Sequence, residues 1–584
     1  MTTERNPRGT TRWALSVGRG LARTAVWALM FTLLGTTARL IGPLVIRAGI
    51  DHGISAGDRG LITRSALALA AVLVIQYGAQ RTAQYGVSLL GERYLRALRV
   101  TVFEHLMRLD MAFYARSKSG VLVSRMTHDM EAVQEFTEEG AVTIVINTLT
   151  VTGVAAAMFL VDATTTLQIP IVMAAVLLAS WIFQRIAGRA YREVREQIGR
   201  VLGSLQEGIS GVRVVQAFTR EREQAGSFGR VNQAYLDAQM KTARAVSWYF
   251  PTINFFRVVG YAIVLVSGGG RVVSGDLSFG TLVTLLIYID WFFQPIIGLS
   301  ITWNQMQSAG AALGKLRRLL EVAPAVRDAP GAQSFAGKPT GEIRLEGVSF
   351  EYQPGVRVVQ DVDLVVAPGE RVAAVGETGA GKSTVARLVL RFYDPVEGVV
   401  KLDGKDLRQV TLESKAQHIV LIPQEGFLFN GSLRENLRYA RPDATDEEIW
   451  TVCRALGIED WVRSLPERLD TPVRERGGRF SAGERQLVAL ARALLIDPSV
   501  IVLDEATANL DPETEARVEQ ALATLLAGRT AIVIAHRLRS AERADRVVMM
   551  DRGRIVAEGA HDDLVRTSPD YARLVSVWER GVLR

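Results

Sequence analysis

Cysteine is all but missing: Cys453 is the only one in 584 residues, so no intrachain disulfide framework can form. A cleavable leader is not expected either, because the first apolar segment lacks a small-residue cleavage site and runs on to membrane-spanning length. Nor does the chain have a basic stripe of the kind that tracks nucleic acid. Its formal charge of +7 is loaded at the front, where Arg5, Arg8, Arg12, Arg19 and Arg23 precede the first apolar run. That is how a cytoplasmic flank beside a membrane helix is dressed, and it sets nucleic-acid binding aside.

What is present is unevenly spread. Hydrophobic residues make up 48% and charged residues 22% of the sequence, and the long apolar runs fall in roughly the first three hundred positions. The length exceeds one compact core. Residues 1–321 read as an all-α transmembrane domain, 322–341 as a linker and 342–584 as a cytoplasmic domain. A hydrocarbon core of about 30 Å takes roughly twenty helical residues. Six segments meet that length, near 25–48, 61–84, 140–161, 164–185, 246–268 and 279–302. The short, nearly neutral loops after the first and third spans fit the outer face, with both chain ends inside.

Between the spans, 85–139 and 186–245 keep a helical pattern rich in Arg, Glu and Gln. Folded as antiparallel arms, each would reach on the order of 40 Å beyond the membrane. Their tips are expected at "YARSKSGVLVSRMTHDME" (114–131) and "QEGISGVRVVQAFTRERE" (206–223), where glycine and small polar residues permit turns. The linker is rich in Pro, Gly and Ala without an apolar period. After it, short β-branched runs alternate with helical stretches, which is the pattern of a mixed sheet flanked by helices.

The strand "RVAAVGE" leads into Gly376, Glu377, Thr378, Gly379, Ala380, Gly381, Lys382, Ser383 and Thr384, and then into a helix. The G-x-x-x-x-G-K-S spacing is that of a phosphate cradle. Its glycines let backbone amides wrap phosphate, Lys382 reaches the β and γ oxygens of ATP, and Ser383 offers a hydroxyl to Mg²⁺. "SVIVLDEAT" sets Asp504 and Glu505 at a strand end, where one carboxylate can hold Mg²⁺ through water while the other polarises the attacking water. His536 and Gln424 also follow strands, at the edge where ligands bind in such sheets. Lys382, Glu505 and His536 are the catalytic candidates, and Ser383, Gln424 and Asp504 the metal candidates. Tyr352 could stack on adenine or simply pack in the core. A second glycine-containing loop, "RGGRFSAGERQ", opens another helix whose N-terminus suits an anion.

Together these motifs resemble the ATP-binding cassette transporters, and among them the exporter-fold half-transporters of the bacterial multidrug and lipid type, over nearly the whole chain. The resemblance implies an inner-membrane ATPase that moves an amphipathic or hydrophobic substrate, with lipid around it and a second half-transporter as partner. It makes Tyr352 the A-loop aromatic, 376–384 the Walker A loop, Gln424 the Q-loop residue, Asp504 and Glu505 the Walker B end, Asp511 the D-loop aspartate and His536 the switch histidine. The two arm tips become coupling helices. "FSAGERQ" resembles the signature LSGGQ, so Ser481, Ala482, Gly483 and Glu484 would face ATP held by the other subunit. Phe480, Ala482 and Glu484 depart from that pattern. An added Cβ restricts positive φ and hinders close backbone approach to a phosphate, and in paired exporters of this type an altered signature accompanies an intact Walker B glutamate, so the resemblance makes Ala482 with Glu505 favour a heterodimer over a homodimer. An importer on the same fold and a soluble cassette ATPase are the competing readings, the latter opposed by the six spans. Arg39, Arg257 and Asp290 fall near mid-depth of their spans, as a structural Arg–Asp pair or as the lining of a substrate cavity.

Overall fold

The computed structural model describes Trp13 and residues 19–474, 477–504, 512–535 and 537–582. The chain divides into two compact units: one runs to Met107 and resumes at Ser119–Val322, and the other joins Arg108–Lys118 to everything from Ala323 onward.

The first half of the sequence forms α1 (Ala22–Ile54), α2 (Arg59–Arg108), α3 (Met111–Arg116), α4 (Ser119–Val161), α5 (Ala163–Ser210), α6 (Val212–Ala217), α7 (Glu221–Val273) and α8 (Phe279–Leu320). Among the described residues, six helices are long and apolar enough to cross a membrane. All except α3 belong to the first unit. The most apolar window of α2 has none of its residues buried, and Leu67, Val74, Leu160, Ile171 and Val266 project outward. Water would penalise that surface, whereas lipid or a second chain satisfies it.

Lipid supplies no hydrophobic drive between helices, so their contacts rely on close approach and hydrogen bonds. A Cβ added at Gly153 would lie 2.5 Å from Leu40 Cδ1, and one at Gly86 2.5 Å from Trp27. Around Pro43 of α1, two hydroxyls one turn apart on α8 donate across the contact, Thr284 to the Pro43 carbonyl at 3.1 Å and Tyr288 to the Leu40 carbonyl at 2.7 Å. Tyr249 of α7 stacks on Phe183 of α5 at 4.0 Å, with its hydroxyl 3.1 Å from Ser180. Two carboxylates fasten helix ends. Asp51 accepts Ser278 Oγ at 2.6 Å and the Gly280 amide at 2.8 Å, capping α8 from another helix. Asp162 caps the start of α5 through the Thr165 amide and pairs with Arg271 of α7 at 2.6 Å.

The far ends of the arms differ from each other. In the second, α6 lies between Gly211 and Arg220. In the first, the turn comes earlier than the 114–131 stretch: Asp110 begins it by accepting the Phe113 amide at 2.9 Å, and from Ser119 the chain is helical again. An aspartate N-cap makes that turn, and Gly120 stands inside the returning helix. Segment 108–118 packs within the second unit. There Asp110 also accepts the Ala325 amide, Arg116 donates to the Tyr352 carbonyl at 3.1 Å, and Ala112 rests on the apolar core.

The second unit holds ten strands among the described residues: β1 (Ile343–Gln353), β2 (Val356–Val366), β3 (Arg371–Val375), β4 (Glu397–Leu402), β5 (Lys405–Asp406), β6 (Ile419–Ile422), β7 (Val500–Asp504), β8 (Thr530–Ile534), β9 (Arg546–Asp551) and β10 (Arg554–Gly559). They form an antiparallel sheet β2-β1-β4-β5 and a second sheet β10-β9-β3-β8-β7-β6, parallel except at β10. The strands between neighbours read as unbroken apolar runs, "VAAV", "VIVL" and "AIVI", because both faces are covered.

Residues 323–341 differ from the free linker their composition describes. The Gln333 amide donates to the Gln409 carbonyl and the Phe335 amide to Ser414 Oγ, both at 3.0 Å, while the Leu412 amide donates to Asp328 at 2.8 Å. Phe335 also packs edge-on against His418. The segment is a strap on the second unit, held by backbone hydrogen bonds that carry no hydrophobic period.

Candidate nucleotide site

Parallel pairing aligns the carboxyl ends of β3, β6, β7 and β8 along one edge, the place where ligands bind in such sheets. Gly376 follows β3, Gln424 follows β6 and Asp504 closes β7. Glu505, Asp511 and His536 lie outside the described residues.

The turn after β3 requires glycine for two reasons. Gly376 has φ +140°, and a Cβ there would meet the Met550 carbonyl oxygen at 2.1 Å. Glu377, Thr378 and Gly379 are exposed, and Ala380 is buried, with its carbonyl accepting the Gly553 amide at 3.0 Å. Gly381, at φ +105°, starts the helix α9 (Lys382–Val389). Lys382 is only 5% exposed, and its ammonium donates to the Gly376 carbonyl at 2.6 Å and the Glu377 carbonyl at 2.9 Å. No carboxylate balances it in those contacts, and burial pulls its pKa below the ordinary lysine range. A desolvated cation under a glycine loop at a helix N-terminus is fitted to an anion. Ser383 is half-buried beside it.

Tyr352 is anchored to this helix. Its hydroxyl lies 3.1 Å from Thr384 Oγ1 and accepts from Arg387 at 3.0 Å, and its ring meets Phe350 and Tyr393 edge-on. Gln424 is exposed, but the loop it stands on is clamped. The Pro423 carbonyl accepts from the buried Gln486 at 3.2 Å, and a Cβ at Gly426 would lie 2.4 Å from the Arg485 carbonyl. Sequence reading missed this clamp between loop and helix.

That helix, α11 (Ala482–Ile496), begins at Ser481 with a capping box. Ser481 Oγ accepts the Glu484 amide at 3.2 Å, and Glu484 accepts the Ser481 amide at 2.7 Å. The other carboxylate oxygen of Glu484 accepts the indole N–H of Trp461, on α10 (Glu459–Ser464), at 2.7 Å. S-x-x-E is legible in sequence as a capping box, so this signal was available. Ser481 and Ala482 are exposed and Gly483 is buried. Ala482 occupies the first helical position and is not among the residues with positive φ. Its Cβ therefore strains no backbone, so of the two grounds for a heterodimer the restriction on φ falls and the closer approach to phosphate is the one left.

The oxygen donors available for a metal are Ser383, Gln424 and Asp504; among the described residues no cluster of three or more His, Cys, Asp or Glu could hold one. Hydroxyl, amide and carboxylate oxygens are hard donors of the kind Mg²⁺ takes alongside its waters and substrate phosphates. In the first unit, Arg257 pairs with Asp290 at 2.7 Å and donates to Asn254 at 2.8 Å. Arg39 instead stacks over Trp291 at 4.7 Å and lines a separate cavity.

A helical unit with six apolar spans, joined to a P-loop unit of this form, defines an ATP-driven membrane transporter. Residues 26–296 match the family model for the ABC transporter transmembrane region, and 359–508 match the ABC transporter model. The chain belongs to the ABC transporter family. It is 34% identical to an ATP-dependent lipid A-core flippase of Thiobacillus denitrificans over 91% of this chain and 92% of that one. It is 35% identical to a multidrug efflux ATP-binding/permease protein of Mycobacterium tuberculosis, over 94% of this chain but 46% of the relative's length. Among solved structures, a bacterial Atm1-family ABC exporter with ATP bound superposes with TM-score 0.75 at 26% identity, covering 95% of this chain and 98% of that one. The protein is thus a multi-pass membrane protein of exporter fold that couples ATP hydrolysis to transport.

Proposed function

We propose that the chain is one half of a dimeric exporter in the bacterial inner membrane, with its ATPase domain and both termini cytoplasmic, moving an amphipathic substrate such as a drug or lipid. The observation that carries this reading is the union in one chain of six helices long and apolar enough to span a membrane with the buried Lys382 under its glycine loop. The names of the flippase and the efflux relative support the substrate class. The efflux relative is long enough for two such halves.

In this reading 376–384 wrap the phosphates of ATP, Tyr352 takes the adenine, Glu505 positions the attacking water, and His536 and Asp511 complete the site. Ser383, Gln424 and Asp504 would hold Mg²⁺, which supplies positive charge to the phosphoryl oxygens. Ser481 to Glu484 face the partner's nucleotide. The segments around α3 and α6 act as coupling helices. A heterodimer now rests on the outward methyl of Ala482, which would narrow the approach to that nucleotide. Purified alone, the chain should then give little ATPase and poor dimer yield; a stable homodimer with rapid turnover reverses this choice without touching the rest.

The test of the whole reading is ATPase of the assembled dimer, with the partner half supplied where the chain does not pair with itself, in reconstituted vesicles. Activity should vanish in EDTA, return with Mg²⁺, and be lost in Glu505→Gln while ATP binding persists. Unchanged turnover in Glu505→Gln removes that residue from its role.

A further inference from the structure

A cavity of about 360 Å³ lies between α1, α2 and α4, lined by Thr32, Thr36 and Arg39, by Gln80, Arg81 and Gln84, and by Ile146 and Thr150. Its lining contains two arginines and no carboxylate. Among the described residues Arg81 has no ion pair, and Arg39 has only the Trp291 ring, with Asp290 as its nearest acidic influence. Thr32 and Thr36 satisfy their hydroxyls on their own helix, at the Ala28 and Thr32 carbonyls. Thr150 does not. It is 1% exposed, and its hydroxyl has no hydrogen-bond partner among the described residues. A partly buried arginine near mid-span with no ion pair and an unpaired buried hydroxyl are each costly unless an occupant answers them, and the exposed Arg81 near the end of the second span adds a second cation to the same lining.

We propose that this cavity binds the anionic oxyacid head, phosphate or carboxylate, of an amphiphile. The inference rests on the transporter reading and names its substrate class. Size points to the head alone: at roughly 30 Å³ per water, the space admits a phosphoglycerol-sized group and a few waters, and the acyl chains stay among the exposed apolar side chains of α2, such as Val74 and Tyr77. Arginine matches such heads with two parallel N–H donors. Gln80, Gln84 and the Thr150 hydroxyl supply neutral donors.

The test is nucleotide-free binding of labelled phosphatidylglycerol and phosphatidylcholine to the full chain in nanodiscs. The wild type should prefer phosphatidylglycerol by about tenfold or more, the effect of one charge-assisted hydrogen bond. Arg81→Gln and Arg39→Gln should each remove that preference, and Arg81→Lys should retain part of it. Equal binding of the two lipids by the wild type, or an unchanged preference in both Gln variants, overturns the proposal. Free glycerol 3-phosphate that binds as tightly as phosphatidylglycerol assigns the cavity to a soluble anion and overturns the amphiphile; binding at least tenfold weaker supports it. An absence of wild-type ATPase when a partner half is supplied would instead count against the transporter reading, which the lipid measurement does not use.

Discussion

Glycine serves opposite ends in the two units. In the membrane unit, Gly86 and Gly153 keep helical backbone and lack a side chain so that Trp27 and Leu40 can press against the helix axis. In the cassette, Gly376 adopts a φ that other residues rarely reach, and its missing Cβ faces a carbonyl oxygen. A packing glycine meets the far end of a side chain, which can move, whereas a conformational glycine meets backbone, which cannot. Where water and loops are available the fold is specified by backbone geometry; where neither is, it is specified by distance of approach.

The comparison breaks first at Gly376→Ala. Strain of about 3 kcal/mol at a position closed to other residues corresponds to roughly a hundredfold loss of affinity. Fluorescent ATP-analogue binding should therefore fall by about that factor. Near-normal binding would mean that the loop has another accessible conformation. The matching change in the membrane, Gly153→Ala, displaces only Leu40 Cδ1 and should cost about 1–3 kcal/mol as overpacking. Thermal unfolding in detergent would show it as a few degrees with ATPase retained. If Gly153→Ala abolishes assembly, the membrane contact is as unyielding as the loop.

Buried cations sharpen the contrast within the cassette. Lys415, 7% exposed, donates to the Leu390 carbonyl at 2.8 Å, and burial with Arg391 nearby lowers its pKa to about 8 from 10.5. Below pH 8 the group is charged in both folded and unfolded chains, and the folded state bears the desolvation cost. Between about 8 and 10.5 the unfolded chain binds more protons, so stability rises with pH through that window. Removing the charge should relieve about 3 kcal/mol at pH 7 and forfeit about 1 kcal/mol of hydrogen bond. Lys415→Met should thus stabilise the cassette by about 2 kcal/mol at pH 7, an advantage that disappears by pH 10.5. Hydrogen exchange across the central strands measures it, and a pH-independent difference would remove the charge from the explanation.

The legible parts of the sequence were those with a period or a spacing. Six apolar runs and the G-x-x-x-x-G-K-S loop announce themselves because lipid demands length and phosphate demands glycines at fixed offsets. The strap 323–341 did not, since backbone hydrogen bonds such as Gln333 to Gln409 leave no trace in residue type. The first arm turns at Asp110 and not around Gly120, because an aspartate that accepts a backbone amide starts a new helix without needing glycine. The Arg257–Asp290 pair stood among the alternatives, but the partition of Arg39 into a separate cavity depends on helix rotation that composition does not encode.

The smallest expected effect tests the one position where resemblance and local physics compete. Glu484 departs from the signature glutamine, yet it accepts the Ser481 amide with one oxygen and the Trp461 indole with the other. Glutamine has a single acceptor oxygen, so Glu484→Gln keeps one of these bonds at most, and alanine keeps neither. Losing a capping interaction costs about 1 kcal/mol. Glu484→Ala should lower cassette stability by about that amount, with Glu484→Gln between it and the wild type. If Ser481 faces a partner's nucleotide, loosening the cap should also weaken ATP-dependent dimer closure, read by cross-linking between cassettes, while the affinity of the isolated chain for ATP is unchanged. Equal closure in the wild type and both variants would reduce Glu484 to a helix cap with no part in the interface.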